Sequence, residues 1–264
     1  MLPLVCLDVD GTMVGSLGEP SPGLWAAVDR ARHRGQHLTQ CTARVAAGPT
    51  RQWAERLDPD GWHIFHTGAA LWRPTSGEVR ASPLAADAVH ACIAVGDERG
   101  WVVELYTWED YAVDTDDRLA VEHAALLHLP FVRRPLDSLD GEVVRMQFVV
   151  PIGEMRDAIK AAPPGTGASG ATSPLMPDAA FVSLILDGVS KASGVASVAG
   201  ELGVEVDRVM MVGDGDNDLP AMRSVGFGVA MGDADDEVRA EADLIVAGVD
   251  QDGAAEAVDR SQHL

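Results

Sequence analysis

The apolar run Leu4-Val5-Cys6-Leu7 stops abruptly at Asp8-Val9-Asp10-Gly11-Thr12. A short continuous apolar stretch closed by acids and a turn residue reads as a buried strand, 4–8, presenting carboxylates at its C-terminal edge. Strand period two sends Asp8 and Asp10 to the same side before Gly11 turns the chain. The period then changes. Leu24, Val28 and Ala31 recur at helical spacing over 22–34, after Ser21-Pro22, a capping residue followed by a proline suited to the first turn. A strand at 36–41, a helix at 44–56 and a further strand near Trp62-His63-Ile64-Phe65 follow, the last running into the turn-like Thr67-Gly68. Strands and helices alternating at this spacing predict parallel βαβ units.

From about 80 to 185 that rhythm breaks. Trp101–Tyr106 and Val143–Val150 read as strands of an antiparallel sheet, with helices at 85–94, 120–127 and 153–162 and a loop at Pro163-Pro164-Gly165-Thr166-Gly167. After 190 the βαβ pattern resumes: helix 191–202, strand 208–213, helix 217–223, strand 227–231, helix 235–241, strand 243–246. The expected fold is α/β, a Rossmann-like parallel sheet core in residues 1–80 and 186–264, interrupted by an inserted α+β cap domain at 81–185.

Length and composition narrow the function classes. At 264 residues the chain can bury a core in each of two domains, and its 47% hydrophobic content suits a globular protein. No stretch is long enough to span a bilayer, and Asp8 interrupts the only apolar run near the start, so no membrane partner and no secretory signal are expected. Cys6, Cys41 and Cys92 are few, odd in number and lack metal-ligand spacing, which points to a reduced, cytoplasmic setting. A net charge of −21 spread along the chain argues against nucleic acid as a partner. The same charge demands local positive groups for any anionic substrate, and lysine occurs only at Lys160 and Lys191.

Four segments carry chemistry, each with a plainer reading beside it. Two carboxylates as close as Asp8 and Asp10 repel, so they call for a cation, a shared proton or a reaction that uses both; the plainer reading is a strand leaving its sheet through an Asp-x-Asp-Gly turn. Thr42, in Cys41-Thr42-Ala43-Arg44, offers a hydroxyl after strand 36–41, or simply an N-cap for helix 44–56. The two are compatible, because helix amino termini attract anions. Lys191 opens a helix, where the macrodipole disfavours a cation; its plainer reading is a solvated surface lysine. The strand Val209-Met210-Met211-Val212 ends in Gly213-Asp214-Gly215-Asp216-Asn217-Asp218, which would meet the first acid pair if ligands bind beyond the carboxyl ends of the strands. Converging oxygen donors with no Cys or His beside them select Mg2+ over zinc. An Asp/Gly turn capping helix 217–223 accounts for Asp216 but not for the whole set.

In this order, Asp8-x-Asp10-Gly11-Thr12, Thr42-x-Arg44, Lys191 and Gly213-Asp214-Gly215-x-Asn217-Asp218 resemble the haloacid dehalogenase-like hydrolase superfamily. More narrowly they resemble its Cof-type sugar phosphatases, whose large α/β cap lies between the second and third motifs. Val229-Ala230-Met231-Gly232-Asp233-Ala234 followed by Ala242-Asp243 is similar to that subgroup's ending. The sequence departs from the subgroup at Ala43, where Gly is usual, and at Thr67 and Asp233, where Asn is usual. None of these removes a charged group.

The resemblance implies a Mg2+-dependent phosphatase acting on a small phosphorylated metabolite. Asp8 would be the nucleophile and Asp10 the general acid and base. Thr42, Lys191 and Asn217 would bind the phosphoryl oxygens. The metal would be held by Asp8, the backbone carbonyl of Asp10, and Asp214, with Asp218 as ligand or support. A phosphomutase of the same superfamily and a receiver-like module phosphorylated on Asp8 are the alternatives. Glu104, Tyr106 and Arg145 are cap candidates for contact with the leaving group, although strand parity does not say which side they face. The sequence specifies neither the physiological substrate nor an oligomeric state.

Overall fold

The computed structural model describes every residue except Pro174. It divides into two compact units: Met1–Ala43, Arg51–Arg80 and Ser190–Leu264 form the first, Arg44–Thr50 and Ala81–Val189 the second. In chain order the elements begin β1 (Leu4–Leu7), α1 (Pro22–His33), β2 (His37–Gln40), α2 (Gly48–Leu57), β3 (His63–Phe65), β4 (Ala70–Arg73) and β5 (Glu78–Ala81). Next come α3 (Ala86–Arg99), β6 (Val102–Tyr106), β7 (Tyr111–Val113), α4 (Arg118–Leu126), β8 (Arg145–Pro151), α5 (Met155–Lys160), β9 (Thr166–Ser173) and β10 (Met176–Leu186). The chain closes with α6 (Lys191–Leu202), β11 (Val209–Gly213), α7 (Leu219–Ser224), β12 (Phe227–Ala230), α8 (Asp236–Glu241), β13 (Leu244–Ile245) and α9 (Gly253–Arg260).

The first unit is built on a parallel sheet of order β13-β12-β11-β1-β2. Its interior strand β1, flanked by β11 and β2, is buried throughout, which is why its sequence is continuously apolar rather than alternating. Leu7 lies opposite Val212 on one side and Gln40 on the other. The hydrogen bonds Asp8 N–H to Val212 O (3.0 Å) and Cys41 N–H to Leu7 O (2.8 Å) carry that register past the strand ends. Three parallel strands in register therefore deliver Asp8, Thr42 and Asp214 to one edge of the sheet. Around it, α1 starts with Ser21 accepting the Leu24 N–H, and α6 starts with a reciprocal Ser190–Ser193 capping box.

Several expected elements shift for local reasons. The helix expected at 44–56 begins only at Gly48, so Thr42 does not cap it. Gly48 takes φ 54° ahead of Pro49, a left-handed start that a proline and a glycine permit together. The helix expected at 153–162 is a 3-10 turn followed by the six residues of α5, and the one expected at 217–223 runs over Leu219–Ser224. β4, β5, β7, β9, β10 and α9 carry no expectation from the sequence. β9, of composition TGASGATS, lacks apolar alternation because it is a largely exposed edge strand paired only with β10. The loop expected at 163–167 therefore ends at Thr166, where β9 starts.

The second unit is an antiparallel sheet of order β7-β6-β8-β10-β9. One face packs Val103, Leu105, Met146, Phe148 and Val182 into an apolar cluster. The other contains a chain of polar side chains. The Tyr106 hydroxyl donates to Glu104 Oε2 at 2.7 Å, and His123 Nδ1 from α4 lies 2.9 Å from the same oxygen. Gln147 Nε2 reaches His123 Nε2 at 3.1 Å, and the Ser183 hydroxyl donates to Gln147 Oε1 at 3.0 Å. Arg145 lies over the Tyr106 ring, 3.9 Å from its centroid. Glu104 and Tyr106 are wholly buried and Arg145 nearly so. These three residues are thus engaged inside the sheet face, where an unpartnered carboxylate would be strongly destabilising.

A buried histidine supports the first unit beside Thr42. His63 Nδ1 accepts the Gln40 N–H at 3.1 Å and its Nε2–H donates to Asp58 O at 2.9 Å, a pattern that only the neutral ring satisfies. Burial pushes its pKa down to about 4 from an ordinary 6.5. The folded-state value is depressed, so between pH 6.5 and pH 4 the unfolded chain takes up a proton that the folded chain refuses. Stability from this group is complete above pH 6.5 and falls by about 3 kcal/mol as pH drops to 4. Urea unfolding across that window should show the slope, and His63→Gln should flatten it. An unchanged slope in the variant would count against the assignment.

Candidate active site

Lys191 sits at the centre of a carboxylate cluster. Its Nζ is 2.6 Å from Asp8 Oδ1 and 2.6 Å from Asp218 Oδ1, and the side chain is wholly buried. The plainer reading of Lys191 as a solvated surface lysine is thereby overturned. Burial opposes the ammonium charge, but Asp218 and Asp8 more than offset this and hold the lysine pKa above its ordinary value. The capping box at Ser190 supplies what the first turn of α6 needs, so an unfavourable cation can begin the helix.

The acids exceed the positive charge available to them. Asp8, Asp214 and Asp218 each offer an oxygen within 4.8 Å of the others. Burial, followed by repulsion from Asp218, Asp214 and Asp10, raises the Asp8 pKa well above the carboxylate range despite Lys191. Asp214 is pushed up to about 7, first by burial and then by Asp218. Three crowded oxygen donors with a surplus of negative charge are the donor set a hard divalent cation takes, so the residues present fit a metal such as Mg2+. Asp218 has both oxygens engaged: Oδ1 by Lys191, and Oδ2 by the backbone N–H groups of Asp214 and Gly215 at 3.1 and 3.2 Å. It therefore shapes the 213–218 turn as well as adding charge.

The remaining candidates lie around this centre. Thr42 is fully buried beyond β2, its N–H donating to Ile64 O at 2.9 Å. Asp10 and Asn217 are exposed, and Asp10 is not one of the three clustered carboxylates. Gly11, at φ 76°, lets Asp214 approach: a Cβ there would stand 2.1 Å from Asp214 Oδ2. Thr12 belongs to the first motif but had no assigned role; its hydroxyl donates to Asp214 Oδ1 at 3.3 Å, joining the two acid-bearing loops. A second feature went unread. His66 and Thr67 both adopt positive φ, 49° and 58°, and the Thr67 N–H donates to Thr42 O at 2.9 Å. Thr67 stands where the subgroup usually has Asn, which adopts that conformation more readily than other residues apart from glycine. The sequence signal was the Thr67-Gly68 turn.

The chain belongs to the haloacid dehalogenase-like hydrolases, whose sequence profile matches residues 5–258. The stress response protein YhaX of Bacillus subtilis is 25% identical over 262 residues, covering 96% of this chain and 90% of YhaX. A haloacid dehalogenase-like hydrolase from Bacteroides thetaiotaomicron shares the fold with a TM-score of 0.86 at 23% identity, covering 98% of this chain and 99% of that one. The structure described as the HAD subclass IIB sugar phosphatase BT4131 does so with a TM-score of 0.84 at 23% identity, over 99% of each chain. The family and α/β fold class expected from the four motifs are borne out. Among the described residues no helix is long and apolar enough to cross a membrane.

Proposed function

We propose that this protein is a Mg2+-dependent phosphatase that hydrolyses small phosphomonoesters, sugar phosphates foremost, through an aspartyl-phosphate intermediate. The observation that carries the reading is the buried lysine bridging Asp8 and Asp218 beside Asp214. A phosphoryl group needs concentrated positive charge and in-line positioning more than elaborate covalent machinery. In a chain this acidic, that cluster is where such charge can be gathered. The sugar phosphatase likeness in fold and the hydrolase family agree with it.

Asp8 attacks phosphorus: a carboxylate oxygen–phosphorus bond forms as the bond to the ester oxygen breaks, and Asp10 donates a proton to the departing alcohol. Asp10 then accepts a proton from water as it attacks phosphorus, releasing inorganic phosphate and restoring Asp8. Thr42, Lys191 and Asn217 hold the phosphoryl oxygens. Mg2+ held by Asp8, Asp214 and the Asp10 carbonyl would neutralise charge on the transferring group. Asp218 fixes Lys191 and the 213–218 turn. The second unit, whose role as a cap is part of the proposal, selects the leaving group.

Three measurements test this. Phosphate release from a panel of phosphorylated metabolites should stop with chelator and return with Mg2+. Mg2+ added to chelator-treated protein should raise the melting temperature by about 5 °C, and Asp214→Ala should erase that rise. Full turnover in excess chelator would sink the metal assignment. Recovery of an isomerised sugar phosphate in place of free phosphate would turn the reading to a phosphomutase. The receiver-like alternative loses ground to the whole-chain match with a hydrolase family.

A further inference from the structure

Asp10 is followed by a loop, 11–20, that leads to α1. The loop is folded back on its own start: the Gly11 N–H donates to Val14 O at 3.0 Å and the Val14 N–H to Val9 O at 2.8 Å. Val14 also bridges both Asp10 and Pro20 in strand-like fashion. The direction of Asp10 is therefore tied to where Val14 and its neighbours lie. Beneath the far side of the loop is a cavity of about 280 Å3, lined among others by Met13, Leu17, Leu24 and Val249. Apolar packing does not fill that side, so polar contacts matter more for the loop's position.

Two acids from the far end of the chain make those contacts. Asp250 Oδ1 accepts the Ser16 N–H at 3.0 Å, and a Cβ on Gly15 would stand 2.3 Å from that same oxygen. Asp252, held at φ 61°, accepts the Ser21 hydroxyl proton, while Ser21 Oγ accepts the Leu24 N–H at 2.9 Å and caps α1. A Cβ on Gly23 would lie 2.6 Å from Asp252 Oδ2. The device occurs twice: a glycine admits a carboxylate, and the adjacent or nearby serine hydrogen-bonds to it. One contact grips the loop just past Val14, the other its exit into α1.

We propose that Asp250 and Asp252 are positioning residues for Asp10, pinning the 11–20 loop so that the acid is presented to the leaving-group oxygen. The inference rests on the general-acid role proposed for Asp10. Neither residue touches substrate; both act through the Gly15-Ser16 and Ser21 contacts. Loosening the pins should harm proton donation and leave phosphate binding intact. The damage should therefore grow as the leaving group becomes more basic.

The test is a series of aryl phosphates from 4-nitrophenyl phosphate to phenyl phosphate, with leaving-group pKa from about 7 to about 10. In the Asp250→Ala/Asp252→Ala double variant, kcat/KM for phenyl phosphate should fall about tenfold and that for 4-nitrophenyl phosphate by no more than about twofold. KM should hold steady. Asp250→Asn, which keeps an acceptor oxygen, should recover most of the loss from Asp250→Ala, and Gly15→Ala should reproduce that loss by displacing the carboxylate. Asp10→Asn run alongside separates the two readings. If Asp10→Asn steepens the leaving-group dependence and the double variant does not, the positioning role is wrong. If Asp10→Asn leaves the dependence unchanged, the general-acid reading fails and this inference with it. A uniform loss across the series with a lowered melting temperature would assign the two acids to stability alone and overturn the proposal.

Discussion

Asp8→Asn is expected to lose at least about a thousandfold in turnover while keeping its fold. An amide is a far poorer nucleophile than a carboxylate and a weaker ligand for a hard cation. The fold should survive because the change removes one negative charge from a crowded group. Asp8 is held well above the carboxylate range by burial and by repulsion from Asp218, Asp214 and Asp10, so neutralising it costs little. Lys191 keeps Asp218 as a partner at 2.6 Å. Metal-free Asp8→Asn should therefore melt no lower than the parent protein. Phosphate release and a thermal melt on the same purified sample check both halves. Ordinary phosphatase activity in the variant would rule out Asp8 as the covalent nucleophile.

Lys191→Met is the second large effect, and it differs in kind. Lys191 is the cation on which the Asp8 and Asp218 carboxylates converge at 2.6 Å each. Truncating one member of a buried charged cluster leaves the others uncompensated, a loss of about 3–5 kcal/mol. Turnover should fall with it by about a hundredfold or more, because the phosphoryl oxygens lose their ammonium partner. The pH dependence of the stability loss is diagnostic. Acidification protonates a carboxylate and relieves the repulsion, so the metal-free variant should approach the parent in urea as pH is lowered towards 5. Added Mg2+ should do the same at neutral pH by replacing the missing charge. A variant as stable as the parent in excess chelator at pH 8 would show that the cluster does not depend on this lysine.

The two acids of the site most legible in the sequence share one property: each stands at the end of a strand whose apolar run marks its burial. Asp8 after Leu4–Leu7 and Asp214 after Val209–Gly213 could be placed on one edge because parallel strands in a single sheet end together. Lys191 was legible by contrast, a cation at a helix start in a chain with only two lysines. Glu104, Tyr106 and Arg145 are polar residues on cap strands, where the sequence leaves either face open. Period two says which residues share a face and is silent on what covers that face; here α4 brings His123 onto Glu104. Asp250 and Asp252 gave no signal, since acids in an exposed turn look alike in any acidic chain.

The sequence by itself determined the βαβ pattern of the core, the family, and Asp8, Asp214 and Asp218 as acids at or just beyond strand ends. These follow from local periodicity and from side chains set at fixed distances from strand ends, which need no knowledge of distant partners. Tertiary structure decided the rest. It decided that Asp218 holds Lys191 and the 213–218 turn, and that Thr42 leads into a bent, irregular segment rather than a helix. It also decided that β9 is a strand despite its small, polar residues, and that a loop near residue 16 is held by residues near 250. Each depends on contacts between segments far apart in the chain, where the energy lies in burial and paired polar groups that no local pattern encodes.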